Sequence, residues 1–474
     1  MDEAVPSPRR WWSLGALAFS LFMIYLDTTV VNVALPAIQA DLGIGLSQLE
    51  WVVNAYTLPF AVLLLTGGKL ADFLGRRRVF LAGLTVFTAS SLACGLAHSG
   101  AGLIAARAVQ GSGAALMLPA TLSIISVSFQ PRERGTALGV WAASSGIGAA
   151  LGPLVGGALV EGASWRWIFY VNVPVGLIGL VAGRVLVDES RDDSAEQRLD
   201  LPGLLTSGIG LLALVYALVE GNRYGWASGR IIASFAVAAA GLILFVAVEA
   251  RSRLPMLELG LFRRAAFAGA NVVGLVSFFA LFGVFFFVSI YMQRILGYSA
   301  LETGLAFLPF SMLVALTVPL AGRATDRFGA RWPLATGMAS LGAGLLLQSR
   351  LGLEAAYWEL LPGFVLGGIG IGLTIAPANA AVLGSAPDAK AGVASAVVNT
   401  FRQTGGALGV AVMGAVVGNR IGSLRIGDPR LAVAFVDGLQ DALRFGAVAA
   451  LAGAVVAALA VRSAPGQAPA ELAV

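Results

Sequence analysis

Two ionisable residues, Asp27 and Arg107, lie inside long apolar segments of this 474-residue sequence. A charged side chain at membrane depth is costly and usually functional. Asp27 lies roughly 22 Å from the start of the first predicted helix, and Arg107 roughly 6 Å from the start of the fourth. These helices run in opposite directions, so both residues fall at a similar depth in a hydrocarbon core about 30 Å thick. These depths therefore allow an ion pair, either direct or bridged by water.

Such a pair is suited to binding and releasing a proton. An apolar surrounding favours the protonated form of a carboxyl group, whereas a nearby guanidinium favours the ionised form. Movement of Arg107 toward or away from Asp27 would therefore switch the carboxyl group between releasing and binding a proton. The alternative is that the two residues are static structural partners.

A second charged feature is the short stretch "GKLADFLGRRRVF", Gly68 to Phe80. Gly68 and Gly75 permit close backbone approach and a tight turn. Asp72 can pair with Arg76 or cap a neighbouring helix N-terminus. Links of this kind at one membrane face can hold one conformation closed and break in another. The alternative is that the arginines only set the topology.

Other polar residues inside apolar segments are weaker candidates to line a cavity, because each is equally well explained by an interhelical hydrogen bond. They are Asn32, Asn54, Tyr56, Asn271, Tyr291, Asn379 and Asn399. Arg402, in the thirteenth segment, fits either a helix-end anchor or an interdomain contact. Glu161, Glu220 and Glu249 fall at segment ends, where we expect them to reach water.

Several chemistries are excluded by the composition. The single cysteine, Cys94, rules out an internal disulfide and a cysteine-rich metal site, and the single histidine, His98, rules out a histidine-cluster metal site. The sequence contains no nucleotide-binding loop and no nucleophile with a neighbouring histidine. We therefore predict no metal, no cofactor and no enzymatic activity. The net charge of +5 is expected to report topology rather than nucleic-acid binding.

The elements that carry these residues are predicted to be membrane-spanning helices. The chain is 58% hydrophobic and 12% charged, with a mean hydropathy of +0.84. A span needs roughly 20 mostly apolar residues. Fourteen such segments are predicted, at about 13–38, 50–69, 79–98, 101–128, 135–160, 165–187, 201–220, 229–249, 266–292, 300–321, 332–350, 359–383, 391–418 and 440–462. The tail after Arg462 is rich in Pro and Ala, and we expect it to be disordered.

An internal repeat divides the chain into two halves. The matching pairs are Asp72 with Asp326, Gly75 with Gly329, Pro119 with Pro377 and Gly152 with Gly409. Parallel six-helix halves with a substrate site between them are a transporter architecture. The sequence thus predicts an N-terminal bundle over 1–187, linkers with two inserted helices over 188–265, and a C-terminal bundle with its tail over 266–474. We expect the inserted helices at the periphery, facing lipid.

The joint pattern resembles the major facilitator superfamily, and within it the fourteen-helix branch of drug:proton antiporters. The Gly68–Phe80 stretch looks like the family's cytoplasmic loop motif, and the stretch "RAVQGSG" that begins at Arg107 looks like its fourth-helix basic motif. Two further stretches resemble signatures of the branch, "LDTTVVNVALPAI" and "WRWIFYVNVPVG". The second-half loop departs from the pattern, with Ala330 where the first half has Arg76.

The stretch "GVWAASSGIGAALGPLVGG" resembles the antiporter motif that the same family carries on its fifth helix. Its residues at the family's spacing are Gly139, Gly148, Gly152, Pro153, Gly156 and Gly157. Glycines four residues apart share a helix face and let membrane helices approach closely, and the proline favours a kink. The resemblance implies a helix pair that closes tightly at the interface between the halves and blocks leak. Ordinary helix packing is the alternative.

The resemblance implies a proton-coupled antiporter that exports amphipathic or hydrophobic small molecules by rocker-switch alternating access. Protons would enter by way of Asp27 and Arg107, and Asp72 would act in a gating latch. A dedicated exporter of an endogenous antibiotic, lipid or siderophore would carry the same motifs. A membrane enzyme is the alternative of another class, and a channel would need polar rings that we do not find. We expect a monomer in the cell membrane with both termini in the cytoplasm.

Overall fold

The computed structural model describes residues 9–192, 199–252, 255–387, 390–422, 424 and 428–461. Within these ranges the chain is helical and contains no strand. The helices are α1 (Arg9–Leu42), α2 (Leu46–Leu74), α3 (Arg76–Gly95), α4 (Gly100–Ser128), α5 (Pro131–Gly162), α6 (Trp167–Tyr170), α7 (Asn172–Leu186), α8 (Leu201–Tyr224), α9 (Gly229–Arg251), a 3-10 helix (Leu259–Arg263), α10 (Ala265–Arg294), α11 (Ala300–Ala306), α12 (Leu308–Phe328), α13 (Arg331–Gln348), α14 (Tyr357–Gly384), α15 (Ala391–Ile421) and α16 (Leu431–Ala460). The tail predicted to be disordered lies outside the described residues.

Thirteen segments of the described chain are long and apolar enough to cross a membrane. Two of these segments are broken, since α6 and α7 form one span and α11 and α12 form another. The remaining predicted span coincides with α13, which has 18 residues and packs between α14 and α16. The prediction of an all-helical polytopic membrane protein is confirmed.

Prolines account for the two broken spans. Pro174 has no N–H to donate to the carbonyl of Tyr170, where α6 ends. Pro309 likewise cannot donate to the carbonyl of Leu305, in the last turn of α11. Val171 and Phe307, at the two breaks, keep helical backbone angles, so each span continues through its break. The residue after the first break, Asn172, is polar and buried.

The two halves repeat one packing scheme. In the N-terminal half, α2 packs on α4, α1 packs on α5, and α3 packs on both α4 and α7. In the C-terminal half, α12 packs on α14, α10 packs on α15, and α13 packs on both α14 and α16. Each N-terminal helix pair therefore has a C-terminal counterpart, as the internal repeat predicts.

The halves touch at the end of the bundle where α1 turns into α2, which we call the closed end. Side chains of α10 donate hydrogen bonds there to backbone carbonyls of α1: Ser289 to Asn32, Gln293 to Val33 and Arg294 to Pro36, each at 2.9 Å. Gly157 of α5 packs against the backbone of Ala300 in α11. Because these contacts involve backbone atoms, they require the helices to approach closely.

The opposite end of the bundle, which carries the turns at Gly75 and Gly329, leaves space around the helices that face each other across the halves. A Cβ built at Gly135, Gly139 or Gly146 of α5 would have no heavy atom within 4 Å, and the same holds for Gly322 of α12. We call this the open end.

The inserted helices α8 and α9 pack on the outside of the bundle. α9 packs on α8 and is exposed over most of its length. α8 lies against both α2 and α15, and so touches both halves. The buried apolar side chains at this junction are Leu58, Val215, Val219, Ala407 and Ala411. The position is the predicted peripheral one, but one face of α8 packs against protein rather than lipid.

Candidate functional site

Asp27 and Arg107 form a direct ion pair inside the N-terminal half. Arg107 Nη1 lies 2.6 Å from Asp27 Oδ2, and the two residues are 1% and 0% exposed. Asp27 projects from the middle of α1, whereas Arg107 projects from the beginning of α4. Of the two arrangements left open by the sequence, the structure has the direct contact rather than a water bridge.

Three donors converge on the Asp27 carboxylate. Gln110 Nε2 and Asn172 Nδ2 each donate to Oδ1 at 2.9 Å, and Arg107 donates to Oδ2. Asn172 begins α7 directly after the break with α6, and it is buried. Asn172 Nδ2 also lies 3.0 Å from Ser91 Oγ in α3. Charge-assisted hydrogen bonds of this kind fix the position of the carboxylate in this conformation.

The guanidinium of Arg107 connects α4 to the neighbouring helices. Its Nε donates to the carbonyl oxygen of Val52 in α2 at 3.2 Å, and its Nη1 also donates to Gln110 Oε1 at 2.8 Å. The ring of Tyr56 lies 4.2 Å from the guanidinium carbon, and that of Phe169 lies 5.7 Å from it. A change of partner at Arg107 would therefore act directly on α2.

Gln110, Asn172 and Ser91 were missed by the sequence analysis. Gln110 follows Arg107 by three residues and so shares its helix face. Asn172 lies within the matched stretch "WRWIFYVNVPVG". A polar residue inside a signature stretch was the available signal, whereas the convergence on Asp27 depends on how four helices pack.

The charged turn at Gly75 lies at the open end, between α2 and α3. Gly75 has a φ of 109°, which disfavours any residue with a Cβ. A Cβ at this position would also meet Glu189 Oε1 at 2.7 Å. Asp72 Oδ1 accepts hydrogen bonds from Arg76 Nε and Nη2, at 3.1 and 3.0 Å. Asp72 therefore pairs with Arg76, and Gly68 packs against Pro119 at ordinary contact distance.

The same turn is tied to the linker that follows α7. Its hydrogen bonds run from Asp192 N to Asp72 O, from Arg76 N to Ser190 O and from Arg77 N to Glu189 Oε1. All three join the turn to its own half of the molecule. In this conformation, a latch at this turn would therefore hold α2 and α3 to the linker that follows α7.

The glycine stripe of α5 faces α1, within the N-terminal half. The atoms that a Cβ would overlap are Phe22 O at Gly148, Thr29 Oγ1 at Gly152 and Val30 Cγ2 at Gly156. The stripe thus brings α5 close to the part of α1 that carries Asp27. The resemblance implied that this face closes the interface between the halves. In the structure these three glycines instead pack against α1, within the N-terminal half.

Neighbouring residues of the same motif form the interface instead. Gly157 packs on the backbone of Ala300, and Gly304 of α11 packs on the carbonyl of Pro153. Gly139 faces open space at the open end. The residues of the motif therefore serve two contacts, one with α1 and one with α11, because successive residues of one helix point in different directions.

The polar residues considered for a cavity do not converge on one point in the N-terminal half. Asn54 is fully buried, and neither of its side-chain polar atoms has a hydrogen-bond partner. Tyr56 covers Arg107, and its hydroxyl is also without a partner. Asn32 lies at the closed end, where its backbone carbonyl accepts from Ser289.

The C-terminal candidates are equally dispersed. Tyr291 donates from its hydroxyl to the carbonyl of Gly352 at 2.5 Å, at the closed end. Asn379 and Asn399 are partly exposed, on α14 and α15. Asn399 Nδ2 donates within its own helix to Ser395 O at 2.9 Å.

Arg402 is a buried residue of α15 rather than a helix-end anchor. Its Nη2 donates to the carbonyl of Ile375 at 3.1 Å, and its guanidinium lies 5.6 Å from the ring centre of Phe278. Both of these contacts lie within the C-terminal half, so the interpretation of Arg402 as a helix-end anchor does not fit, and the interpretation as an interdomain contact stays a prediction.

Two carboxylates expected to reach water are buried. Glu220 and Glu249 are 5% and 3% exposed, so that expectation is wrong for both. Glu220 Oε1 accepts from Trp51 Nε1 and Glu249 Oε2 accepts from Leu257 N, both at 3.1 Å. Each lies near a helix end, but another segment of the chain covers it. Glu161 is exposed, as expected.

Fold and site together define a membrane transporter built from duplicated six-helix halves. Among the described residues, no group of three or more His, Cys, Asp and Glu side chains could hold a metal ion. The family model of the Major Facilitator Superfamily matches residues 17–410 and 270–472. The chain belongs to the Major Facilitator Superfamily, as the resemblance in its sequence indicates, and it is a transporter rather than an enzyme.

Relatives with substantial identity carry names that refer to resistance or export. The multidrug resistance protein Stp of Mycobacterium tuberculosis is 40% identical over 85% of this chain and 75% of that protein. The puromycin resistance protein pur8 of Streptomyces alboniger is 41% identical over 87% of this chain and 82% of that protein. The tetracenomycin C resistance and export protein of Streptomyces glaucescens is 34% identical over 93% of this chain and 83% of that protein.

Solved structures share the fold at low sequence identity. A bacterial homolog of the human lysosomal transporter Spinster, in an inward-facing and unoccupied conformation, matches with a TM-score of 0.69 and 17% identity, over 97% of this chain and 100% of that chain. The peptide transporter POT in complex with sulfate matches with a TM-score of 0.66 and 16% identity, over 93% and 94% of the two chains. At this identity the likeness concerns the fold alone.

Proposed function

We propose that the chain is a proton-coupled antiporter that exports amphipathic small molecules, including drugs or antibiotics, across the cell membrane. The relatives named for multidrug, puromycin and tetracenomycin C resistance support this class of cargo. The observation that carries the proton part of the proposal is the buried pair of Asp27 and Arg107. The proton gradient would supply the energy, so no cofactor is required.

Protonation of Asp27 would release Arg107 from its partner. Three donors hold the carboxylate in the conformation described. A proton on Asp27 removes the charge to which Arg107 is bound. Arg107 also donates to Val52 of α2, and α2 packs on α15 of the other half. Protonation in the N-terminal core would thereby reach the contact between the halves.

We assign the open end to the cytoplasmic side of the membrane. The turn there carries Arg76, Arg77 and Arg78, and loops rich in Lys and Arg favour the cytoplasm. Substrate would enter from the cytoplasm or the inner leaflet. Separation of Gly157 from Ala300 would then open the other side in a rocker-switch movement. A monomer with both termini in the cytoplasm completes the proposal.

Exchange in reconstituted vesicles tests the proposal. The purified protein is placed in liposomes with an imposed pH gradient and a pH-sensitive dye, and puromycin, tetracenomycin C or ethidium is added. We expect a transported compound to collapse the gradient, and Asp27→Asn to abolish this response while the protein stays folded. Glu354→Gln removes an exposed carboxylate and is the matched control. Collapse at the wild-type rate with Asp27→Asn would refute the proton role.

A dedicated exporter of one antibiotic is the second candidate. The tetracenomycin C protein, 34% identical, has a name that refers to a single compound, whereas Stp, 40% identical, is named for multidrug resistance. The same panel of compounds separates the two. A response to one chemical class favours the dedicated exporter, and a response to several unrelated classes favours the multidrug exporter.

A further inference from the structure

A further buried carboxylate lies at the closed end and takes no part in the Asp27 site. Glu50, near the beginning of α2, is 3% exposed. Its Oε2 atom is buried and has no hydrogen-bond partner. The carboxyl group is covered by α15 of the C-terminal half, since a Cβ at Gly414 would overlap it. Glu50 therefore lies in the contact between the two halves.

The inserted helix α8 completes the surroundings of Glu50. Trp51, the next residue in the chain, donates from Nε1 to Glu220 Oε1 of α8 at 3.1 Å. Asn222 of α8 donates from Nδ2 to the carbonyl of Ala415 in α15 at 2.8 Å. α8 is thus hydrogen-bonded to both halves beside Glu50, and it brings a second buried carboxylate to this place.

Cations on the helices packed around Glu50 have other acidic partners. Arg223 of α8 lies 3.5 Å from Glu220, Arg420 of α15 pairs with Asp441 of α16, and Arg107 of α4 pairs with Asp27 of α1. Glu220, which is held by the side chain of Trp51 next to Glu50 in the chain, brings a charge of the same sign to this place. A buried carboxylate without a partner and beside a like charge is costly to ionise.

We infer that Glu50 is a second proton-binding site, which takes up a proton when the closed end closes and releases it to water when this end opens. The inference rests on the alternating access of the proposed function. The step is a reversible proton transfer between water and the carboxylate of Glu50. Separation of α15 from α2 would move Gly414 away and admit water, so the ionised form would no longer be penalised. A proton on Glu50 therefore stabilises closure, and its loss favours opening.

Distances across the closed end test this inference without any substrate. Spin labels are attached to His98→Cys and Glu354→Cys, which lie in exposed loops of the two halves, and they report the distance between the halves. Cys94 is replaced by serine, so that only the two introduced cysteines carry a label. We expect the distance distribution of the otherwise unchanged protein to shift toward longer distances as the pH rises. Glu50→Gln cannot ionise, so the shift should be much smaller, and the double variant Glu50→Gln/Asp27→Asn should keep the short distance at every pH. Asp437→Asn, an exposed carboxylate on α16, is the matched control and should keep the shift.

A second variant guards against misfolding of the first. Glu220→Gln removes the neighbouring charge, so we expect the shift to persist but to begin at lower pH. Asp27→Asn separates this inference from the proposed function, because it should lose exchange in vesicles and yet retain the pH-dependent distance. A distance that does not respond to pH, or a shift of undiminished size in Glu50→Gln, would overturn the inference. Neither result depends on whether a compound is transported.

Discussion

At the residue scale, the buried charge of Asp27 and Arg107 is balanced by partners from several helices. Burying an ion pair costs desolvation free energy, which is offset only with good geometry and further hydrogen bonds. Gln110 and Asn172 donate to Asp27, and Val52 accepts from Arg107. Removal of one charged member would leave the other buried without its main partner.

Arg107→Gln is therefore expected to destabilise the protein more than the double variant Asp27→Asn/Arg107→Gln. Removing one partner of a buried pair costs about 3–5 kcal/mol, whereas replacing both is often close to neutral. Denaturant unfolding of the purified protein in detergent, followed by tryptophan fluorescence, measures the free energy of unfolding of each variant. Equal losses in the single and double variants would show that the two residues are not coupled.

At the element scale, the approach of α5 to α1 depends on glycines that have no room for a side chain. A methyl group at Gly152 would overlap Thr29 Oγ1, whereas Gly146 faces open space on the same helix. Overpacking a core costs about 1–3 kcal/mol, and Gly to Ala at an open helix position gains up to about 1 kcal/mol. The two glycines therefore form a matched pair.

We expect Gly152→Ala to lower the thermal unfolding midpoint and to slow export, because α1 carries Asp27. Gly146→Ala should leave export unchanged and keep or raise the midpoint. Thermal unfolding in detergent and export from vesicles are measured on both variants. If Gly152→Ala is as stable as Gly146→Ala, the packing of α5 on α1 is not what limits this position.

The turn between α2 and α3 is expected to govern the conformational equilibrium rather than binding. Asp72→Asn weakens the pair with Arg76, and Gly75→Leu places a side chain at a φ of 109°. Both residues lie at the open end, away from Asp27, so turnover should fall more than substrate affinity. Fluorescence gives the affinity, distance spectroscopy gives the conformational distribution, and Asp326→Asn in the equivalent turn serves for comparison. A loss of affinity with an unchanged distribution would count against the latch.

At the scale of the whole molecule, export by alternating access requires the closed end to open. Glu161 Oε2 accepts from the backbone N–H of Leu301 at 3.1 Å across the halves. A short bifunctional thiol reagent joining Glu161→Cys to Leu301→Cys, with Cys94 replaced by serine, is expected to stop export from vesicles. The pair Gly139→Cys and Gly322→Cys at the open end has free space around both positions and should not be joined in this conformation. Export that continues after complete cross-linking of the first pair would exclude this movement.

The order of the helices, the duplicated halves and the similar level of Asp27 and Arg107 in the bundle were predictable from the sequence by itself. Each depends on a one-dimensional quantity: apolar length, the offset between repeats, or a rise of about 1.5 Å per helical residue. The pairing of Asp27 with Arg107 was within reach because both are ionisable residues at similar depth in an apolar surrounding. Membrane insertion restricts such residues so strongly that their position along the chain nearly defines their partner.

Only the tertiary structure decided which side chains complete the sites and which end of the bundle is closed. Gln110 and Asn172 meet at Asp27 because α4 and α7 present particular faces to α1, and the glycines at 148, 152 and 156 face α1 for the same reason. Glu50 and Glu220 lie near helix ends in the sequence, yet α8 and α15 cover them. Hydropathy determines how deep a residue lies, but the rotation of each helix about its axis and the neighbour packed against it determine what that residue touches.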